Sequence, residues 1–340
     1  MISTLAFTPA VARATDHLYA KVKAVVPRFE WELHAPLIAR IHELKREKRA
    51  VILGHNYQIP SIFHGISDIT GDSLQLSRAA AKECGDALRI VFCGVHFMAE
   101  TAKLLNPGKK VLIPDLAAGC SLSESMSAAD VRELKRQYPG RPAVCYINTP
   151  AAVKAECDLT CTSGNAVEVV ESLGASEVIF VPDEYLAKNV AAQTGVKLIG
   201  WHGRCIVHEE FSAAQLGAYR RQFPDLTVLA HPECSPEVVA AADYVGSTSG
   251  MIAHLDVVTT PRVLMVTECS MADNVQSAHP ELEFVKTCSM CPHMKRITLE
   301  GVVRTLERDE HEVTIPPEVE GRARRAIERM LEIPLRTRPR

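Results

Sequence analysis

The sequence lacks the features that mark several common classes of protein. Its longest apolar runs reach only six to eight residues, whereas a membrane-spanning helix needs about 20. With a net charge of −3, the chain has no excess of the basic residues that neutralise nucleic-acid phosphates. The first residues do not join a basic start to a continuous apolar stretch, so we expect no signal peptide. We therefore expect neither a membrane nor a nucleic acid as a partner.

Short motifs for nucleotide and serine chemistry are also missing. The chain contains no Walker phosphate loop, no Gly-x-Gly-x-x-Gly fingerprint and no Gly-x-Ser-x-Gly elbow. Cysteine, by contrast, is abundant, and its eleven copies, an odd number, do not fit a secreted disulfide framework. In a reducing cytoplasm, the location that we expect, such thiols serve as core residues, nucleophiles or metal ligands.

Nine short runs rich in β-branched residues alternate with amphipathic helical stretches. The predicted strands are AVILGHN (50–56), RIVFCG (89–94), KKVLIPD (109–115), PAVCYIN (142–148), EVIFVPD (177–183), VKLIGWH (196–202), LTVLAHP (226–232), DYVGST (243–248) and RVLMVTE (262–268). Ser127 is predicted to cap the helix AADVRELKRQY. Strands separated by helices indicate an α/β fold with parallel sheets covered on both faces.

Three segments follow the same order of strand, short helix, strand and cysteine, and they end at Cys120, Cys205 and Cys269. Each is preceded by a strand that ends in polar residues, at 55–57, 146–148 and 231–233. We infer three related α/β domains: residues 1–118 with 297–340, residues 119–203 and residues 204–296. The helical tail from about residue 297 is predicted to pack on the first domain. Since ligands bind beyond the carboxyl ends of parallel strands, the polar strand ends could converge on one cavity.

Cysteines that recur at the same place in the repeats are candidate metal ligands. Cys120 and Cys205 match each other, and Cys291 follows at almost the same interval, although the repeat itself points to Cys269. Three cysteines from three domains would hold a metal while leaving one coordination position open, as Lewis-acid catalysis requires. Any one of them could instead be a small apolar residue at a strand end.

The polar strand ends offer groups for proton transfer and for anion binding. His231 and Glu233 are spaced to face the same side, and an imidazole and a carboxylate so placed can shuttle protons. A lone histidine is more often structural. The turns TSGN (162–165) and GSTSG (246–250) precede helices and could bind a carboxylate or phosphate, or simply cap those helices.

Nine segments taken together resemble the quinolinate synthase family. They are GHNYQ (54–58), GDSLQLS (71–77), GCS (119–121), CYINT (145–149), TSGNA (162–166), GRCIVHE (203–209), HPEC (231–234), GSTSGM (246–251) and CPHMKRITL (291–299). The resemblance implies three three-layer αβα domains around a pseudo-threefold axis, with the active site at the centre. It also implies a 4Fe–4S cluster held by Cys120, Cys205 and Cys291. The fourth iron would lack a thiolate and act as a Lewis acid.

The resemblance further implies a reaction and the residues that perform it. The family condenses iminoaspartate with dihydroxyacetone phosphate, releasing phosphate and water, to form quinolinate, the precursor of NAD. Glu233 is the implied proton shuttle, and the other implied catalytic residues are His55, Tyr57, Tyr146 and His231. The implied substrate-binding residues are His55, Ser73, Tyr146, Asn148, Ser163, His231, Glu233, Ser247 and Thr248. The enzyme that supplies iminoaspartate is a further candidate partner.

Several alternatives stay open at this point. Cys288 could form a reversible disulfide with Cys291, or it could be a spare loop thiol. The chain could also be another hydro-lyase with an open-site cluster, an iron–sulfur sensor or a structural zinc protein. A sensor is disfavoured because no basic helix-turn-helix pattern is evident, and a zinc protein because the cysteines are not paired as in zinc knuckles.

Overall fold

The computed structural model describes residues 5–287 and 289–335, and it contains three four-stranded parallel sheets. The first sheet consists of β1 (Ala50–His55), β2 (Ile69–Gly71), β3 (Arg89–Cys93) and β4 (Lys110–Leu112). The second consists of β5 (Ala143–Tyr146), β6 (Leu159–Cys161), β7 (Glu177–Val181) and β8 (Lys197–Ile199). The third consists of β9 (Leu226–Ala230), β10 (Tyr244–Val245), β11 (Arg262–Val266) and β12 (Glu283–Val285).

Helices flank these sheets. They are α1 (Pro9–Val22), α2 (Arg28–Lys48), α3 (Pro60–Phe63), α4 (Ser73–Lys82), α5 (His96–Leu105), α6 (Ser121–Glu124), α7 (Ala128–Gln137), α8 (Ala151–Lys154), α9 (Ala166–Ser172), α10 (Glu184–Thr194), α11 (Ala213–Gln222), α12 (Pro236–Ala240), α13 (Thr248–Leu255), α14 (Ser270–Val275), α15 (Leu299–Arg308) and α16 (Pro317–Glu332). Two 3₁₀ turns lie at His208–Glu210 and Met294–Arg296. Within the described part of the chain, no helix combines the length and the apolar character needed to cross a membrane.

The three sheets have the same strand order, in which the first strand of each lies between the second and the third. The order is β2-β1-β3-β4, then β6-β5-β7-β8, then β10-β9-β11-β12, and every pairing is parallel. The prediction of an α/β fold with parallel sheets is confirmed. Shared strand order supports three related repeats, and the predicted pseudo-threefold axis and domain boundaries stay predictions.

Three strands escaped prediction from the sequence. These are β2, β6 and β12, and each is only three residues long. Short edge strands carry no alternation of apolar and polar residues long enough to detect. The nine predicted strands all exist, although each ends one to three residues earlier than predicted, because the residues that follow lie outside the strand pairing.

Local sequence explains where the helices begin. Ser127 accepts a hydrogen bond from the backbone N–H of Asp130, whose carboxylate in turn accepts one from the backbone N–H of Ser127, as predicted for the start of α7. The same reciprocal cap joins Asp72 and Gln75 at the start of α4. Such boxes satisfy backbone donors that the helix itself leaves without partners.

The chain divides into two compact units. The first comprises the residues up to Ala118 with Cys269–Glu281 and Met290–Val313, and it holds the first sheet. The second comprises Gly119–Glu268, Leu282–Ser289 and the residues from Thr314 onward, and it holds the other two sheets.

The helical tail differs from its prediction in one respect. In the first unit α15 packs on α2, but in the second unit α16 packs on β6 and α8 rather than joining the first domain. The reason is the apolar face of α16, where Ala323, Ile327 and Met330 are buried and the carbonyl of Ala326 accepts a hydrogen bond from Thr160.

Candidate active site

Glu233 lies at the centre of a buried polar cluster in the second unit. It follows the end of β9 and is only 4% exposed. Tyr146, the last residue of β5, donates its hydroxyl proton to Oε1 of Glu233 over 2.5 Å, and Nδ2 of Asn148 donates to the same oxygen over 3.3 Å. Nδ1 of His208 lies 2.8 Å from the other oxygen, Oε2. Strand ends from two sheets therefore surround one carboxylate.

The surroundings of Glu233 keep it ionised despite its burial. Burial alone would raise the pKa of this carboxyl, but the charges of His231 and His208 and the hydrogen bonds from His208 and Tyr146 outweigh it, so the pKa of Glu233 is lowered. A buried carboxylate held in this form is a hydrogen-bond acceptor aimed into the site.

Tyr146 is shifted in the opposite sense. Burial, followed by the charge of Glu233, raises the pKa of its phenol well above the ordinary value. Tyr146 therefore stays protonated at neutral pH and remains a donor to Glu233. The pair combines a fixed donor with a fixed acceptor, which holds the Glu233 carboxylate in one orientation.

His231 connects this cluster to the turn at 162–165. The backbone N–H of Glu233 donates to Nδ1 of His231 over 3.3 Å, and Nε2 of His231 lies 3.2 Å from the hydroxyl of Ser163. The rings of His231 and His208 are stacked with their centroids 4.6 Å apart. His231 thus has both ring nitrogens and one ring face engaged within the site.

The two predicted anion-binding turns approach each other closely. A Cβ atom at Gly164 would lie 3.4 Å from the hydroxyl oxygen of Ser247. That oxygen accepts the backbone N–H of Gly250 over 3.2 Å and so caps α13, which begins with the buried Thr248. The capping alternative is therefore correct for Ser247, although its hydroxyl still carries a proton that can be donated.

Cys120 and Cys205 are brought together in the second unit. The hydroxyl of Ser121, next to Cys120, donates to the carbonyl of Arg204 over 3.0 Å and accepts the N–H of Ile206 over 3.2 Å. One serine thus contacts the chain on both sides of Cys205. Loss of solvation, followed by the charges of Glu233 and Cys120, raises the pKa of the Cys205 thiol well above its ordinary value.

Donor atoms of three residues converge beside Cys205. Its sulfur, a ring nitrogen of His208 and a carboxylate oxygen of Glu233 lie within 4.8 Å of one another. Sulfur, imidazole and carboxylate are all ligands of transition metals, so this group can hold a metal ion.

The first unit contains the other predicted site residues. His55 ends β1, and its ring meets that of Tyr57 edge-on with centroids 4.7 Å apart. The N–H of Tyr57 donates to Nδ1 of His55 over 3.2 Å, which is the relation that Glu233 has to His231. Ser73 is the first residue of α4.

Cys291 precedes a 3₁₀ turn that packs on this same segment of the first unit. Lys295 donates from Nζ to the carbonyl of Tyr57 over 2.8 Å, and Gln58 donates to the carbonyl of Met294 over 3.4 Å. Cys269 is the residue before α14. Cys288, the candidate disulfide partner of Cys291, lies outside the described residues.

Each unit therefore collects part of the predicted set. The second unit brings together Cys120, Tyr146, Asn148, Ser163, Cys205, His231, Glu233, Ser247 and Thr248. The first unit holds His55, Tyr57, Ser73 and Cys291.

Two residues of the cluster were missed by sequence reasoning. His208 lies three residues after Cys205, and this Cys-x-x-His spacing was the available signal. Asp183 is fully buried at the end of β7; its Oδ1 accepts the N–H of Leu186 over 2.9 Å, while Oδ2 has no hydrogen-bond partner among the described residues. Burial, followed by the charge of Glu233, raises the pKa of Asp183 well above its ordinary value.

Comparison with known proteins identifies the family. The family model described as NadA, quinolinate synthetase A protein, matches residues 39–332. The chain belongs to the quinolinate synthetase A family. The resemblance seen in the sequence is thereby confirmed, and with it the prediction of an enzyme.

Curated relatives within the quinolinate synthetase A family are similar over almost the whole chain. Quinolinate synthase of Sinorhizobium medicae (strain WSM419) is 56% identical over 97% of this chain and 91% of the relative. Quinolinate synthase 1 of Mesorhizobium japonicum (strain LMG 29417 / CECT 9101 / MAFF 303099) is 57% identical over 95% of this chain and 99% of the relative. Quinolinate synthase of Xylella fastidiosa (strain 9a5c) is 57% identical over 87% of each chain.

Proposed function

We propose that this enzyme condenses iminoaspartate with dihydroxyacetone phosphate to form quinolinate, with loss of phosphate and water, in the de novo synthesis of NAD. The observation that carries the proposal is the ionised, buried Glu233, which meets a protonated tyrosine and two imidazoles at the strand ends. Formation of a pyridine ring by condensation and dehydration requires repeated proton transfer, and this cluster supplies a base and donors in one place. Membership of a family whose relatives are named quinolinate synthase supports quinolinate as the product, and the two substrates are those that the sequence resemblance implies.

Cys120, Cys205 and Cys291 are proposed to hold one 4Fe–4S cluster per chain. The donor set fits, because the link through Ser121 brings Cys120 near Cys205, and a thiolate at Cys205 is unfavourable unless a cation neutralises it. The assignment of Cys291 rests on its motif in the sequence. When bound, such a cluster would supply a Lewis-acidic iron with an open coordination position.

Glu233 is proposed to take and return protons during the dehydration steps. Its lowered pKa keeps Glu233 ionised at neutral pH, the form that can accept a proton, and Tyr146 and Asn148 restrain Oε1 from rotating. His208 restrains Oε2 in the same way. A carboxylate fixed at both oxygens presents its basic lone pairs in one direction, which favours transfer to a substrate bound there.

The remaining predicted residues are proposed to bind and orient the substrates. His55, Tyr57 and His231 would position the reacting carbons and assist proton transfer. The hydroxyl and amide groups proposed to bind carboxylate and phosphate oxygens are those of Ser73, Asn148, Ser163, Ser247 and Thr248. A cytoplasmic location and docking of the iminoaspartate-producing enzyme stay predictions.

The proposal is tested first by metal analysis of protein purified without oxygen. We expect about four iron atoms and about four acid-labile sulfides per chain, followed by quinolinate formation in an anaerobic assay. Zinc, or no metal after anaerobic reconstitution, would contradict the cluster.

Cysteine variants then test the ligands. Cys120→Ala, Cys205→Ala and Cys291→Ala should each lose iron and activity. The matched control is Cys93→Ala in β3, where burial raises the thiol pKa to about 12, and this variant should lose stability but keep iron. Loss of iron in Cys269→Ala with retention in Cys291→Ala would show that the third ligand is misassigned.

A further inference from the structure

Three of the proposed site residues occupy the same position in the three repeats. Tyr57, Asn148 and Glu233 each stand two residues after a residue at or just past the end of a strand, namely His55, Tyr146 and His231. In every case the backbone carbonyls of the preceding residue and of the following residue accept hydrogen bonds from one buried side chain.

Glu233 is bracketed by an amide in the second unit. Nδ2 of Asn189, on α10, donates to the carbonyl of Pro232 over 2.8 Å and to the carbonyl of Cys234 over 2.9 Å. Asn189 is only 5% exposed, so water does not readily replace these two bonds.

Tyr57 is bracketed in the same way in the first unit. Nδ2 of Asn274, on α14, donates to the carbonyl of Asn56 over 3.0 Å and to the carbonyl of Gln58 over 2.8 Å. Asn274 is 4% exposed. In two different repeats, therefore, an asparagine amide donates to the carbonyls of the residues on both sides of a site residue.

Asn148 is bracketed by an ammonium group instead of an amide. Lys154, which ends α8 and is fully buried, donates from Nζ to the carbonyl of Ile147 over 2.8 Å and also to the carbonyl of Thr149. A buried lysine is costly unless its protons are bonded, and these two carbonyls supply bonds for it.

The repeat itself explains why one donor differs. Asn189 and Asn274 each lie eight residues after the end of the third strand of their repeat, at Val181 and Val266. The equivalent residue after β3 is Thr101, whose hydroxyl donates to the carbonyl of Phe97 in its own helix over 2.9 Å. Because the hydroxyl of Thr101 bonds its own helix, it does not donate to the carbonyls beside Asn148, and Lys154 supplies those hydrogen bonds instead.

We propose that Asn189, Asn274 and Lys154 are positioning residues that aim Glu233, Tyr57 and Asn148 into the active site. The bond to the preceding residue's carbonyl fixes the peptide plane that leads into the site residue, and the bond to the following residue's carbonyl fixes the peptide plane one residue further on, so the short turn is held on both sides of the Cα–Cβ bond. A bond to only one carbonyl would leave the other side of the turn free to move. The inference rests on the proposed function, because it assigns these donors to the proton shuttle and its partners.

The test is made on Asn189 in the holoenzyme. Asn189→Leu keeps the branched shape of the side chain and removes both N–H donors, and a misdirected Glu233 should lower kcat about 10- to 100-fold. The KM values should stay within about threefold, because the amide contacts backbone and not substrate. Asn189→Ser removes the same amide with a smaller side chain that fits the space, so it gives the same expectation and decides the matter if the leucine variant does not fold. Thr101→Val, at the equivalent position, is the matched control and should keep the wild-type kcat.

A double substitution separates positioning from a general loss of structure. If Asn189 acts through Glu233, the combination of Asn189→Leu with Glu233→Gln should be no slower than Glu233→Gln alone. Losses that multiply, or a folded Asn189→Ser enzyme with the wild-type kcat, would overturn the inference. If the wild type forms no quinolinate at all, the proposed function fails first and this inference with it.

Discussion

Replacing Tyr146 with phenylalanine removes one hydroxyl and changes almost nothing else. That hydroxyl donates to Oε1 of Glu233 over 2.5 Å, and the site is buried, so water does not readily take its place. The remaining donor to Oε1 is Asn148 at 3.3 Å, a longer and weaker bond. The variant therefore isolates the shortest of these contacts with the proposed proton shuttle.

The size of the effect follows from the charge on Glu233. A hydrogen bond to an ionised group contributes about 1.5–3 kcal/mol. If Glu233 must be held by this bond while it transfers protons, the loss corresponds to a kcat about 10- to 100-fold lower. Removing Asn148 should cost less, because its bond is longer, so the order of the two variants is itself a prediction.

The assay compares kcat for quinolinate formation by preparations with equal iron content. Tyr138→Phe, at an exposed tyrosine at the end of α7, is the matched control and should behave like the wild type. A Tyr146→Phe enzyme with nearly normal kcat and normal iron would refute the argument that Tyr146 holds Glu233 for catalysis.

Two further predictions concern the framework around the sites. A Cβ atom at Gly203 would lie 2.6 Å from the carbonyl oxygen of Pro182, so Gly203→Ala should destabilise the fold by about 1–3 kcal/mol and reduce iron retention. The control, Gly217→Ala, lies in open surroundings on α11 and should do neither. Equal Tm values for the two variants would contradict the steric argument. Arg89 donates to both carboxylate oxygens of Asp309 over 2.6 Å and lowers the pKa of Asp309 from 3.8 to about 2. The ion pair therefore stabilises the fold above about pH 4, and this stabilisation is lost as the pH falls towards 2. Asp309→Asn should therefore lower the free energy of unfolding at pH 7 by about 1–2 kcal/mol, with the difference from the wild type vanishing at low pH; a difference that persists at low pH would argue against the ion pair as its cause.

The parts of the fold that were predictable are those that the local sequence determines. A central strand such as β1 or β9 is a continuous apolar run, because it is buried on both faces, and this pattern is visible without a structure. Short edge strands such as β2 and β12 depend on pairing with a neighbour, which no local pattern reports. The position of α16 likewise depends on which apolar surface is available to it.

The candidate site also contains residues that the local sequence makes predictable and residues whose contacts no local pattern reports. Tyr146 and Glu233 stand at or just after strand ends of two repeats, where the sequence predicts polar residues that could converge. His208 was missed because its contact with Glu233 depends on the path of a loop after Cys205. Asn189 is even harder to predict from the sequence, because nothing about an asparagine within a helix indicates that its amide donates to a turn in the next repeat.

The first unit is assembled from three separate stretches of chain, and this determines how it can form during synthesis. α2 is made early, whereas α15, whose Leu299, Val302 and Leu306 are buried in the completed fold, is made close to the end. Until α15 has left the ribosome, the apolar face of α2 has no cover from it, and contacts between such distant segments form slowly. The turn that carries Tyr57 must also wait for Asn274. A nascent or truncated chain that ends before α15 is therefore expected to aggregate.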